Sequence, residues 1–344
     1  MGIEMFGYEI GKLKKGLLNK ISDVPGVTVG HCTINHLNNQ TGVTVVMPSE
    51  DSVYSRPMVA ACHVINGYGK TTGLMQLDEF GFIEAPLFLT NTLNVGLVLN
   101  SAVQYMIKKE NTEELPLESI NIVVAECNDS FLNDIQSCAV QEAHVLKAIE
   151  NAKDHFQEGS VGAGRGMSCH QLKGGIGSAS REIEIDGNRY VLGVLVQTNH
   201  GMLEDLSIDG HAVGKEILKQ YTPEDLIEKG SMIGVIATNV PLDANKMKRL
   251  CKRGVVGMAR TGSYIGNGSG EVIIGFSTAN RFERTEALKC EYMMTVSESC
   301  MDLLYRGVAE AFEEAILNSM VTSERVKGYK GNERRSLKEF LVSP

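Results

Sequence analysis

The chain has 344 residues, of which 43% are hydrophobic, enough for one large core or two smaller ones, and its formal net charge is −9. That acidic balance argues against a nucleic-acid partner, and 6% aromatic residues without a tryptophan leave no platform for stacked bases. No run reaches the ~18 apolar residues that span a bilayer, and the first twenty residues lack the apolar stretch of an export signal, so a cytoplasmic protein without a membrane partner is expected.

In chain order, apolar runs at 43–47, 59–65, 120–125, 190–196, 232–237 and 272–276 predict strands. Several are apolar throughout, which implies strands covered on both faces. Val95, Leu99, Val103, Met106 and Ile107 recur at helical spacing and predict a core-facing helix over 94–109. A second helix is predicted over 243–259, with Asp243 as N-cap and Met247, Leu250 and Cys251 inward. A third is predicted over 293–320, with Met294, Val296, Leu303, Leu304, Val308 and Phe312 inward. The basic, polar tail after Ser323 reads as a loosely packed end. Thirty-six glycines against eight prolines, with no repeat and no low-complexity linker, point to one tightly turned α/β domain.

The eight cysteines form no CxxC. Three of them adjoin histidines (His31-Cys32, Cys62-His63 and Cys169-His170), but neighbours on a strand point to opposite faces and do not readily share a metal. Buried, reduced thiols and no metal are the expectation. No P-loop, GxSxG or HExxH occurs, and the glycine-rich stretches at 161–167 and 174–180 do not supply GxGxxG, so no cofactor is expected.

Four segments carry candidate chemistry. Gly230-Ser231 opens the apolar run 232–237. Read alone this is a turn before a strand, but a serine that becomes an N-terminus carries its own base, an α-amine with a pKa of about 7.7–8.0. Gly266-Asn-Gly-Ser-Gly270-Glu271 holds three glycines that permit close backbone approach, and Ser269 and Glu271, two apart, face one side of a strand. Asn199, in Gln197-Thr-Asn-His-Gly201, ends another buried run, where its amide can donate to an oxyanion. His200 beside it reads more simply as a structural histidine. Glu126, with Asn128 beside it in the pocket-facing segment at the end of the 120–125 run, offers a carboxylate that can pair with a substrate ammonium or cap the next helix.

Taken together, the chain resembles the DmpA family of self-processing aminopeptidases, which includes the β-aminopeptidases. The likeness runs in order through Asp23-Val-Pro-Gly-Val-Thr-Val-Gly-His31, Asn66-Gly-Tyr-Gly-Lys-Thr-Thr-Gly73, Thr90-Asn-Thr-Leu-Asn-Val-Gly96, Leu132-Asn-Asp-Ile135, Cys169-His-Gln-Leu-Lys-Gly-Gly-Ile-Gly177, Gly230-Ser231 and Gly266-Asn-Gly-Ser-Gly270. The resemblance implies a four-layer αββα sandwich of the Ntn-hydrolase-like kind, cleaved between Gly230 and Ser231 into chains 1–230 and 231–344. It implies Ser231 as nucleophile, Ser269 and Glu271 as its partners, Asn199 as oxyanion donor and Glu126, near Asn128, as the substrate-amine contact. It also implies a homo-oligomer, a tetramer of processed units. Lys70 stands where relatives often carry an acid, and Asn128 lies where an aromatic can contribute to the oxyanion site, which leaves substrate choice open.

The function expected is removal of N-terminal residues from short peptides, amides or esters. Two other readings share the pattern: an acyltransferase with an N-terminal hydroxyl nucleophile, and a small-molecule binding protein that never cleaves itself.

Overall fold

The structure, a computed structural model, describes residues 2–223, 230–284 and 288–341. In chain order its elements are β1 (Thr28–His36), β2 (Asn39–Met47), β3 (Met58–Gly67), α1 (Leu74–Phe80), β4 (Phe82–Ile83), β5 (Leu87–Asn91), α2 (Val95–Glu110), β6 (Val123–Cys127) and α3 (Glu142–Glu150). There follow β7 (Ser168–Cys169), β8 (Leu172–Lys173), β9 (Ile176–Ile185), β10 (Asn188–Asn199), α4 (Val213–Ile217) and β11 (Ser231–Thr238). The last are α5 (Ala244–Cys251), α6 (Gly254–Arg260), β12 (Gly270–Arg281), α7 (Met301–Val321), β13 (Val326–Lys327) and β14 (Glu333–Arg334).

Two sheets carry the fold, a four-stranded one ordered β1-β2-β5-β6 and a six-stranded one ordered β4-β3-β12-β11-β10-β9. The pairs β5–β6 and β11–β12 are parallel and the other pairs within these two sheets are antiparallel. Three apolar clusters define the layers. Val46, Leu89 and Ala125 meet Leu195, Ile233, Val235 and Ile274 between the sheets. Val43, Val45, Phe88 and Val124 pack outward on Val98, Ala102 and Met106 of α2 and Val145 of α3. Val194, Met232, Ile236 and Ile273 pack outward on Met247, Leu250, Met258 and the α7 residues Val308, Phe312 and Ile316. The result is the expected αββα sandwich. Strand β11 is buried along its whole length, with alternate residues serving different cores, which is why its sequence is apolar without alternation.

The helix over 94–109 is found as α2, and Asp243 caps α5, its Oδ1 accepting from Lys246 N at 2.8 Å. Other expectations need correction. The segment 243–259 is two helices, α5 and α6, with the break at Lys252 and Arg253. A Cβ at Gly254 would lie 2.9 Å from Phe312 Cζ, so α6 approaches the α7 face at a glycine. The third helix starts at Met301, not 293. Val296 N donates to Pro241 O and Thr295 Oγ1 to Asp243 Oδ2, which holds that stretch extended, and Met294 is solvent-exposed. The strand expected over 120–125 is β6, shifted to 123–127. The tail is not loose: it forms the β13–β14 hairpin and buries Val326, Arg334, Ser336 and Leu337.

Candidate active site

Sheet order brings the chemistry-bearing strand ends together. Asn199 closes β10 directly opposite Ser231, which opens β11, and Ser231 is in register with Gly270 on the parallel neighbour β12. On the facing sheet, β6 ends at Glu126 and Cys127 beside Thr90 and Asn91 of β5. The two sheets are clipped at this end, because Asn199 Nδ2 donates to Asn128 O at 2.9 Å while Asn199 Oδ1 accepts from Ser168 N at 2.9 Å. The amide is thus oriented by two backbone partners.

A cleft of about 930 Å³ opens here, and Ser231, Gly230, Asn199, Glu126, Asn128 and Lys70 are among its lining residues. Ser231 is 4% exposed, yet its Oγ makes no well-formed hydrogen bond and has only the weak thiol of Cys127 beside it. A buried hydroxyl left so costs about 1–3 kcal/mol, which natural structures tolerate mainly where the group has work to do. Gly230 O accepts from Gly270 N at 3.1 Å, so the carbonyl that precedes Ser231 is already polarised by a backbone donor.

Ser269 Oγ donates to Glu271 Oε1, and both residues are fully buried. Glu271 is in register with Met232, one residue along from Ser231, so the pair flanks the start of β11. Asn66 Nδ2 holds the glycine loop through Gly266 O at 3.1 Å and through Ser269 O. Burial drives the Cys127 thiol well above its usual range, the Glu126 and Glu271 charges add to that, and the Ser231 hydroxyl opposes it. Glu126 accepts from Lys70 N at 2.9 Å and from Thr92 Oγ1, and it is 3% exposed. Asn128, by contrast, is exposed, its Oδ1 taken by Ser130 N at 3.0 Å.

His200 is not a base for this site. Burial holds its pKa down to about 3, and its ring packs on His170 away from solvent. Sequence reasoning missed part of the cleft wall: Tyr68, Phe131, Tyr329, Lys330, Asn332 and Arg334 also line it. The Arg334 guanidinium stacks 3.6 Å over Phe131, and Arg334 Nε donates to Ser168 Oγ at 3.1 Å. A basic, polar tail carries no local signal for such a role.

A sandwich of two sheets between helical layers, with a serine at the head of a central strand and at the floor of a cleft, defines an Ntn-hydrolase-like α/β protein. The chain belongs to peptidase family S58, whose model matches residues 19–334. It is 35% identical over 341 residues to the beta-peptidyl aminopeptidase BapA of Sphingosinicella microcystinivorans, covering 92% of this chain and 85% of that one. Among solved structures it resembles the PH0078 protein of Pyrococcus horikoshii OT3, with a TM-score of 0.93, 41% identity and coverage of 99% and 98% of the two chains. It also resembles the L-aminopeptidase D-Ala-esterase/amidase of Ochrobactrum anthropi, described as a variant of the Ntn hydrolase fold, with a TM-score of 0.92, 33% identity and coverage of 99% and 96%. Among the described residues no helix is long and apolar enough to cross a membrane.

Proposed function

We propose that this protein is a self-processing aminopeptidase whose nucleophile is Ser231, freed as a new N-terminus by cleavage after Gly230. The carrying observation is the buried Ser231 Oγ, without a well-formed hydrogen bond, next to a carbonyl that Gly270 N already engages. Attack of Oγ on the Gly230 carbonyl forms an ester as the Gly230–Ser231 C–N bond breaks, which frees the Ser231 amine, and water then hydrolyses the ester to release the Gly230 carboxylate and the Ser231 hydroxyl. The amine then serves as the base for the Ser231 hydroxyl in each turnover, with no metal in the chemical step. Ser269 and Glu271, bonded to each other beside the strand start, are suited to orient it. Asn199, its amide fixed by Ser168 N and Asn128 O, supplies the oxyanion donor.

Glu126 is the contact for the substrate ammonium. A carboxylate has about four acceptor sites, so two remain beyond Lys70 N and Thr92 Oγ1. The names of the relatives support release of N-terminal residues from small peptides or amides, and the resemblance extends the proposal to a homo-oligomer of cleaved units in the cytoplasm.

Intact-mass measurement during incubation is the decisive test. Wild-type protein should resolve into chains 1–230 and 231–344, whereas Ser231→Ala should stay whole and inactive. A folded, active wild type that remains at full mass would sink the proposal. Free amino-acid amides should be hydrolysed and their N-acetylated forms should not, since a blocked amine leaves the Glu126 charge unpaired. Product transferred to an added amine with none released to water would identify an acyltransferase instead.

A further inference from the structure

Next to Ser168 and Asn199 in sequence, but outside the residues that line the cleft, lies a second cluster that the peptidase chemistry does not use. We propose that Cys169 Sγ, His170 Nε2 and a ring nitrogen of His200 bind one zinc-class divalent ion that braces the Asn199 segment. One ligand atom from each residue, the thiol sulfur and a ring nitrogen of each histidine, lies within 4.8 Å of the others, and all three residues are buried.

Adjacency of Cys169 and His170 in sequence is no obstacle, because they do not share a strand. Cys169 ends β7 and pairs with Leu172 of β8, so His170 and Gln171 form a two-residue hairpin turn with φ of 46° and 57°. Both central residues are left-handed, as a type I′ turn requires, and alternation does not apply to them. The turn is clipped to the neighbouring segment by His170 N donating to His200 O at 2.7 Å.

The imidazoles are prepared as ligands. His170 Nδ1 faces Met202 O at 2.9 Å, and a carbonyl only accepts, so Nδ1 carries the proton and Nε2 presents a lone pair. A histidine whose far nitrogen donates to a backbone carbonyl is the usual form of a metal ligand. That Nε2 is buried without a partner, and so are both nitrogens of His200. Burial keeps both rings in the neutral form that coordinates a metal. It also raises the Cys169 thiol to about 12, so uptake of the ion releases the thiol proton as the thiolate–metal bond forms. One thiolate and two imidazoles match zinc or cobalt(II), with a water completing the tetrahedron.

The ion's place gives its role. Ser168, whose N–H holds Asn199 Oδ1, immediately precedes Cys169, and His200 immediately follows Asn199. A metal bond between the two segments would fix both sides of that amide, which makes the ligands positioning residues.

The test needs no substrate, so it stands apart from the aminopeptidase proposal. Untagged wild-type protein is assayed for metal by mass spectrometry, then refolded without metal and titrated with cobalt(II). Expected are about one equivalent per chain, a thiolate-to-cobalt charge-transfer band, and a higher melting temperature for the loaded form. Cys169→Ser and His200→Phe should lose the band, and Cys138→Ser, whose thiol is exposed, should keep it. Should those variants misfold, X-ray absorption of the zinc-loaded wild type decides, with one sulfur at about 2.3 Å and two imidazoles at about 2.0 Å expected. A titration without the band, a band that survives Cys169→Ser, or a shell lacking sulfur would overturn the site.

Discussion

Gly230→Ala is a severe test of the cleavage reading, because the structure leaves no space for a methyl group. A Cβ there would stand 2.1 Å from Asn199 O, 2.9 Å from His200 Cα and 3.0 Å from Asn199 C, all backbone atoms that cannot swing aside. Reaching an ordinary C···O separation of about 3.3 Å takes roughly 1 Å of movement. Strand β11 is packed on both faces, so the shift falls on its open end at Gly230 and Ser231. The 3.1 Å bond from Gly270 N to Gly230 O is then strained or lost, and the carbonyl moves relative to Ser231 Oγ. A misplacement of about 1 Å near reacting atoms costs on the order of 10² in rate, while overpacking costs about 1–3 kcal/mol of stability. The assay is a gel and intact-mass time course of cleavage, with circular dichroism to confirm folding. Gly268→Ala is the control, since a Cβ there meets nothing within 4 Å although the residue lines the same cleft. It should process within a few-fold of wild type. Folded Gly230→Ala that cleaves at the wild-type rate, or Gly268→Ala equally impaired, would refute the steric reasoning.

Asn199→Ala should lower kcat by about 10²–10³ with little change in KM, since the lost donor acts on the oxyanion; steady-state kinetics on processed enzyme that show a change only in KM would remove Asn199 from that role. Glu126→Gln should raise KM for free-amine substrates by at least ten-fold and narrow the gap to their N-acetylated forms, and an unchanged ratio would exclude the ammonium contact. Asp129 gives a pH signature. Burial raises its pKa to about 6 despite hydrogen bonds from Asn133 and Asn91. The native state thus favours the protonated form, so its contribution to stability is complete below about pH 4 and is lost as pH rises through about 6. Urea unfolding between pH 4 and 7 should show wild type losing on the order of 3 kcal/mol relative to Asp129→Asn over that window, and parallel curves would exclude it.

Much of this protein was legible in its residues because local patterns carry local physics. Continuous apolar runs at 232–237 and 272–276 marked strands covered on both faces, and the spacing of Val95, Leu99 and Val103 marked α2. Every candidate residue at a strand end, from Glu126 to Asn199 and Ser231, was found at one, since each apolar run stops where the chain meets the cleft. The helix start at 301 was harder, as the periodicity of Met294 and Val296 is cancelled by backbone and side-chain bonds to Pro241 and Asp243, far along the chain.

Which strand ends meet was decided by tertiary structure alone. The order β12-β11-β10 sets Gly270, Ser231 and Asn199 side by side, and the facing sheet delivers Glu126 and Cys127, which are more than a hundred residues from Ser231 in sequence. The same holds for the tail, whose Arg334 reaches the cleft by stacking on Phe131, and for Cys169 and His170, which a left-handed turn frees from strand alternation. Pattern and propensity act over a few residues along the chain, whereas such encounters depend on how two sheets stack and where a hairpin folds back. That information lies in the packing of the whole sandwich and in no single segment.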